Sequence, residues 1–194
     1  MKFVLCEGKD EVNVLDGLCA QSSISGLTVR EYGGRNNLGG FIEQSKKLRE
    51  FTSQEVGSLA IVMDADNDAD ASWQRIRDVV RAGFSVELSA PGAWTGETPR
   101  VAGFVIAGGD GKGMLETLCL EAVSDRPGYV CLEDYFKCLT QKTGKSDYHP
   151  KQHFHAWLAS QTKELYRVGE AARREFVPYE SKAFDRLREF LRSV

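Results

Sequence analysis

The stretch Leu59-Ala60-Ile61-Val62-Met63-Asp64-Ala65-Asp66-Asn67-Asp68-Ala69-Asp70 changes character at a single residue. Five apolar residues, the pattern of a short strand buried on both faces, run straight into four aspartates at alternate positions. A strand that ends this way delivers carboxylates to one spot beyond its C-terminal end. Such a cluster repels itself unless a cation sits there. Hard divalent ions, Mg²⁺ above all, are held by one or two carboxylates together with water and substrate phosphate oxygens.

Working outward, Phe3 to Cys6 is a second apolar run, ending at Glu7-Gly8, and Val12, Leu15, Leu18 and Cys19 follow at helical spacing with Asp10 and Glu11 in the first turn. Leu27 to Tyr32 reads as another strand, Gly33 to Asn37 as a loop, and Leu38, Phe41, Ile42, Leu48 and Phe51 as one helical stripe. Beyond the aspartates, Trp73, Ile76 and Val80 mark a helix that Asp68 or Asp70 caps, with Asp70 the favoured cap. Phe84 to Leu88 is predicted as a fourth strand and Phe104 to Ala107 as a fifth. The Pro- and Gly-bearing segment Ser89 to Arg100 between them is long enough to be a binding loop or a mobile insertion. Gly108 to Gly113 leads into a helix through Leu115, Leu118 and Cys119. Further helices carry Cys131, Tyr135, Cys138 and Leu139 on one face, Phe154, Trp157 and Leu158 on another, and a last one, capped by Ser181, runs through Leu187 and Leu191. Alternating strands and helices predict an α/β fold: a mostly parallel sheet with helices on both faces over residues 1–125, and a helical C-terminal extension packed on it over residues 126–194.

Composition sets bounds. At 194 residues and 42% hydrophobic content the chain can build one full core. Its net charge of −3 leaves nucleic-acid contact to a local patch, for which the basic residues between Lys151 and Arg192 are the candidate. Glu7, Asp10, Glu11 and Asp16 break up the first twenty residues, so a signal or transit peptide is not expected, nor a membrane span. The expected location is the cytoplasm. Five cysteines, none in a CxxC pair, are expected to be reduced core thiols.

In an open parallel sheet, ligands bind beyond the carboxyl ends of the strands where strand order reverses. Glu7 ends one strand and Asp64 and Asp66 end another, so these three acids are expected to converge. The run Val4-Leu5-Cys6-Glu7-Gly8-Lys9-Asp10-Glu11 resembles the first motif of the Toprim superfamily, and Ile61-Val62-Met63-Asp64-Ala65-Asp66, with its Asp 57 residues after Glu7, resembles the second. The likeness covers roughly residues 1–110, and Gly113 to Glu116 with the helical tail resembles an uncharacterised prokaryotic Toprim-like family close to the overcoming-lysogenization-defect nucleases. The resemblance implies a Rossmann-like Toprim fold. It also implies Mg²⁺ or Mn²⁺ held by Glu7, Asp64 and Asp66, with Asp68 as a further ligand, and Glu7 acting as general acid or base. The implied activity is phosphodiester hydrolysis of DNA or RNA, in phage defence or nucleic-acid processing. The alternative within the superfamily is a non-catalytic module that binds nucleic acid or a partner protein, or assembles as a homo-oligomer. The large gate domains of topoisomerases and the zinc fingers of primases are absent from the sequence.

Lys9, Arg35 and Lys112 are the candidate cations for substrate phosphate, Lys112 within the Gly108–Gly113 turn, whose helix N-terminus could hold an anion. Glu116, one turn into that helix, is either a further acid of the site or a solvated residue. Other motif readings fail. An EF-hand loop starting at Asp64 has Ala69 in place of its glycine and Arg75 in place of its final glutamate. A phosphate loop at Gly144-Lys145-Ser146 lacks its first glycine, since Leu139 stands there. His149 and His153 stand four apart without partners that would complete a zinc site. A small-molecule phosphohydrolase with Asp64 as nucleophile leaves Glu7 unexplained.

Overall fold

The computed structural model describes residues 1–161, 167–174 and 176–194. Four parallel strands, β1 (Lys2–Cys6), β2 (Leu27–Glu31), β3 (Ser58–Asp64) and β4 (Arg100–Ile106), form one sheet in the order β2-β1-β3-β4. Every neighbouring pair is parallel, so the chain returns through helices between strands: α1 (Lys9–Gln21), α2 (Leu38–Ser45) with α3 (Arg49–Thr52), and α4 (Ala69–Phe84). After β4 come α5 (Leu115–Ala122), α6 (Pro127–Thr143), α7 (Pro150–Ala159), α8 (Val168–Arg173) and α9 (Asp185–Ser193). The helical reading of the C-terminal region also spans residues 162–166 and 175, which lie outside the described residues.

Successive strand side chains point to opposite faces, and both faces are buried. Val4, Cys6, Ala60, Val62, Ala102 and Phe104 face one core, shared with α1 and with Phe154, Trp157, Leu187 and Phe190 of the later helices. Phe3, Leu5, Leu59, Ile61, Met63 and Val101 face the other, built with Leu38, Ile42, Ile76 and Val80 of α2 and α4. Gly103 turns towards α4, where a Cβ would stand 2.7 Å from Ile76 and 2.8 Å from Trp73, so its lack of a side chain lets the helix lie close.

Four readings of the sequence are corrected. Phe84 to Leu88 is not a strand: α4 runs to Phe84, Ser85 caps it in the left-handed conformation, and Leu88 is buried without any ladder. Apolar alternation there reflects core anchoring of an irregular segment. Leu38 to Phe51 is two helices, broken after Ser45. The cap of α4 is Asp68, whose carboxylate accepts from the Ala71 N–H at 2.9 Å, and Asp70 lies in the first turn. On α6 the buried side chains are Leu132 and Phe136, while Cys131, Tyr135 and Cys138 are exposed. The two cysteines therefore leave the set of core thiols, and Cys6, Cys19 and Cys119 remain in it.

The segment Ser89–Arg100 has a structural role. Gly92 N–H donates to the Gly103 carbonyl at 2.7 Å, and Thr95 and Val101 exchange hydrogen bonds of 2.9 and 2.7 Å. The segment thus closes the outer edge of β4, which would otherwise present unpaired backbone. Among the described residues no helix is long and apolar enough to cross a membrane.

Candidate active site

Strand order reverses between β1 and β3, and each of those strands ends in an acid. Glu7 follows β1. Its carbonyl accepts from the N–H groups of Gly33 and Gly34 at 3.1 and 2.9 Å, which ties the end of β1 to the loop after β2. Asp64 is the last residue of β3 and only 6% exposed, and its Oδ1 accepts from the Leu115 N–H at the start of α5, at 3.1 Å. Burial pushes the Asp64 carboxyl well above the ordinary range, and Glu11, Glu116, Asp66 and Glu7 add to the shift. Two of those four neighbours come from helices. Glu11 lies in the first turn of α1, and its carboxyl is raised by burial, then by Glu116 and Glu7. Glu116 of α5 is 7% exposed and raised by burial, against the opposing pull of Lys151, whose Nζ stands 3.9 Å from Glu116 Oε1.

Asp66 sits just beyond, in the left-handed backbone region (φ 51°), a conformation few non-glycine residues adopt. It is held there by a pair of hydrogen bonds with Gly113, 2.8 and 3.0 Å long. At Gly113 (φ 147°) a Cβ would lie 3.1 Å from the Gly108 nitrogen, so only glycine makes this bridge without displacing the turn. The Asp66 carboxylate pairs with Arg35, whose guanidinium also donates to the Asp64 carbonyl at 3.3 Å and to the buried Ser72 hydroxyl. Arg75 in turn holds the Arg35 loop by donating to Asn36 Oδ1 at 2.9 Å.

The structure therefore brings Glu7, Asp64 and Asp66 to one end of the sheet and sets Arg35 against Asp66. Asp68 is turned to the N-terminus of α4 as its cap. Lys9 opens α1, on the side of β2. Lys112 is exposed in the Gly108–Gly113 turn, and that turn uses most of its own donors: Gly108, Gly111, Lys112 and Gly113 N–H groups all bond within the protein. Little of it is left to cradle a phosphate. Three groups escaped the sequence reading as site residues. Glu11 looked like a helix-dipole acid, Lys151 like one of many tail cations, and Tyr32 like strand core. Among the described residues the buried Tyr32 hydroxyl has no hydrogen-bond partner; the residue is 3% exposed, and burial and then Glu7 push the hydroxyl up. The only local signal for Glu11 was its place four residues, one helical turn, after Glu7.

The donors are all carboxylate oxygens, which suits a hard divalent ion. Among the described residues no three His, Cys, Asp or Glu side chains stand close enough to hold one ion as positioned. Mg²⁺ commonly takes only one or two protein carboxylates and fills its shell with water. The excess of acids over cations, with an unpartnered hydroxyl beside them, fits such an ion.

The fold and this cluster define a parallel α/β protein with an acidic site at its topological switch point. Over residues 1–194 the chain matches the family model described as protein of unknown function (DUF3226), and it belongs to that family. No curated protein and no solved structure matches it.

Proposed function

We propose that this protein is a Mg²⁺- or Mn²⁺-dependent nuclease of the Toprim type, hydrolysing phosphodiester bonds of DNA or RNA in the cytoplasm. The observation that carries the reading is the buried Asp64 carboxylate at the switch point, surrounded by four further acids. The bound ion supplies Lewis-acid polarisation of the phosphate and a water of lowered pKa. The chain's own residues do the rest. Leu115 N–H fixes the orientation of Asp64, and Arg35 fixes that of Asp66. Glu7, at the end of β1, would take a proton from the attacking water. Glu11 and Glu116, both with raised carboxyl pKa, hold a proton more readily than exposed acids and serve to return one to the departing oxygen. Lys151, beside Glu116, supplies positive charge where the substrate phosphate would lie.

Incubation with Mn²⁺ and single-stranded DNA, plasmid and RNA tests the reading: cleavage of at least one is expected, and Asp64→Asn and Glu7→Gln abolish it. Absence of cleavage in all three, or cleavage that survives Asp64→Asn, sinks it. A second reading, a non-catalytic module that binds nucleic acid or a partner protein, is favoured by one observation: Asp66 is already neutralised by Arg35. Calorimetry with Mn²⁺ separates the two, since the enzyme gives heat that Glu7→Gln removes and the metal-independent binder gives none.

A further inference from the structure

The two edges of the sheet are treated differently. The β4 edge is closed by the Gly92–Thr95 segment, but among the described residues nothing pairs with the outer edge of β2. Tyr32 N–H donates inward to the Cys6 carbonyl at 2.9 Å, so by the alternation of a parallel ladder Thr28 and Arg30 also face β1. The backbone N–H and C=O groups of Leu27, Val29 and Glu31 therefore point outward, and among the described residues they have no hydrogen-bond partner. An open edge of this kind is a template for another strand.

It is also the floor of a groove. A cleft of about 570 Å³, within the roughly 300–1,000 Å³ range of ligand sites, runs along β2 between α1 and the end of α2. Its walls carry apolar Val12 on one side and Phe41 and Leu48 on the other, interspersed with polar Asn13, Gln44 and Ser45, and Leu48 is 42% exposed. Its cations are Lys9, Arg30 and Arg173, none of which has a carboxylate partner among the described residues, against Glu31 as the single acid. Arg30 rests over the Phe3 ring at 4.6 Å.

We propose that this groove binds an extended acidic peptide segment of a partner protein, which adds to β2 as a fifth strand. Outward backbone groups supply the hydrogen bonds, alternate apolar side chains meet Val12, Phe41 and Leu48, and acidic residues meet Lys9, Arg30 and Arg173. A second copy of this chain fits poorly: its own β2 is sunk between the same helices, so the walls would meet first, and the three cations of each copy would face each other. A nucleic acid would satisfy the cations but leave the apolar walls and the strand donors unmatched.

The test uses the whole protein and a fluorescein-labelled peptide of alternating valine and glutamate, eight residues long. Controls are the same peptide N-methylated at alternate residues, its lysine-for-glutamate counterpart, and a twelve-nucleotide single strand. Expected results are saturable anisotropy with the acidic peptide, at least tenfold weaker binding of both control peptides, and at least tenfold slower amide exchange at Val29 and Glu31, with Thr28 and Arg30 unchanged. Val29→Pro removes an outward N–H on an edge strand, where proline is tolerated, and lowers affinity at least tenfold. Arg173→Glu, on the surface of α8, leaves two cations against two acids in the groove and cancels the preference between the glutamate and lysine peptides. The proposal is overturned if Val29 and Glu31 amides gain no protection, if the N-methylated peptide binds equally, if the oligonucleotide displaces the peptide, or if sedimentation shows a dimer that Val29→Pro dissociates.

Discussion

Replacing Asp64 by asparagine should make the metal-free protein more stable while removing its metal response. The carboxylate is almost completely buried, so solvent screening does little for it, and four acids surround it. Its one backbone hydrogen bond, from Leu115 N–H to Oδ1, is retained by the amide oxygen of asparagine. The substitution therefore removes charge repulsion and desolvation without orphaning a donor. The expected gain is about 1–3 kcal/mol, the scale of a poorly satisfied buried polar group. For a chain of this length that is a rise in Tm of about 2–12 °C. The pH dependence has a definite sign. An acid whose folded pKa is raised favours the native state below its unfolded value and loses that contribution as pH rises through the folded value. The advantage of Asp64→Asn is thus larger at pH 8 than at pH 5. Thermal unfolding by circular dichroism in EDTA measures it. Adding Mn²⁺ at about a hundred times its Kd should then raise the wild type by about 2.7 kcal/mol and leave the variant unmoved. A variant that melts below the wild type in EDTA at pH 8 would refute the reasoning, because Asp64 would then be stabilised by its surroundings rather than repelled.

Further outcomes follow from other sites. Asp68→Ala removes the cap of α4 and should cost about 0.5–2 kcal/mol in denaturant titration, while Mn²⁺ calorimetry stays unchanged if the carboxylate belongs to the helix alone. Gly103→Ala drives a Cβ into Ile76 and Trp73 and should cost about 1–3 kcal/mol by overpacking, read from the same titration. A thiol reagent at pH 8 should label Cys131 and Cys138 quickly and spare Cys6, Cys19 and Cys119. Burial protects the last three and pushes Cys19 up to about 11, and mass spectrometry counts the adducts.

Much of this was legible because it is local. An apolar run that stops at an acid identifies both a buried parallel strand and the residue delivered beyond its end, and β1 with Glu7 and β3 with Asp64 follow that rule. What was misread depends on partners that pattern alone does not specify. Phe84 to Leu88 alternates like a strand, yet strands need a ladder and the edge beside β4 is held by Gly92–Thr95 instead. Helix α6 carries apolar residues on two stripes, and burial chose Leu132 and Phe136 over Cys131 and Tyr135 because α7 packs on that side, where Phe136 stacks on His153. The pairing of Arg35 with Asp66 spans 31 residues, and the approach of Lys151 to Glu116 brings together two helices separated by α6. No periodicity encodes either.

The docking of α8 on α1 also sets how late in synthesis the core is completed. Gly169 N–H donates to the Asp10 carboxylate across 159 residues, and a side chain at Gly169 would collide with Asp10 and Asn13. At ribosomal rates of about 5–20 residues per second, α1 emerges roughly 8–30 s before the helix that covers it. During that interval Leu15 and Leu18, buried in the finished fold, lack the helix that packs on α1. Lys151, too, is added long after Glu7 and Asp64. The cluster of Glu7, Asp64 and Glu116 therefore gains its neighbouring cation only once α7 has been made.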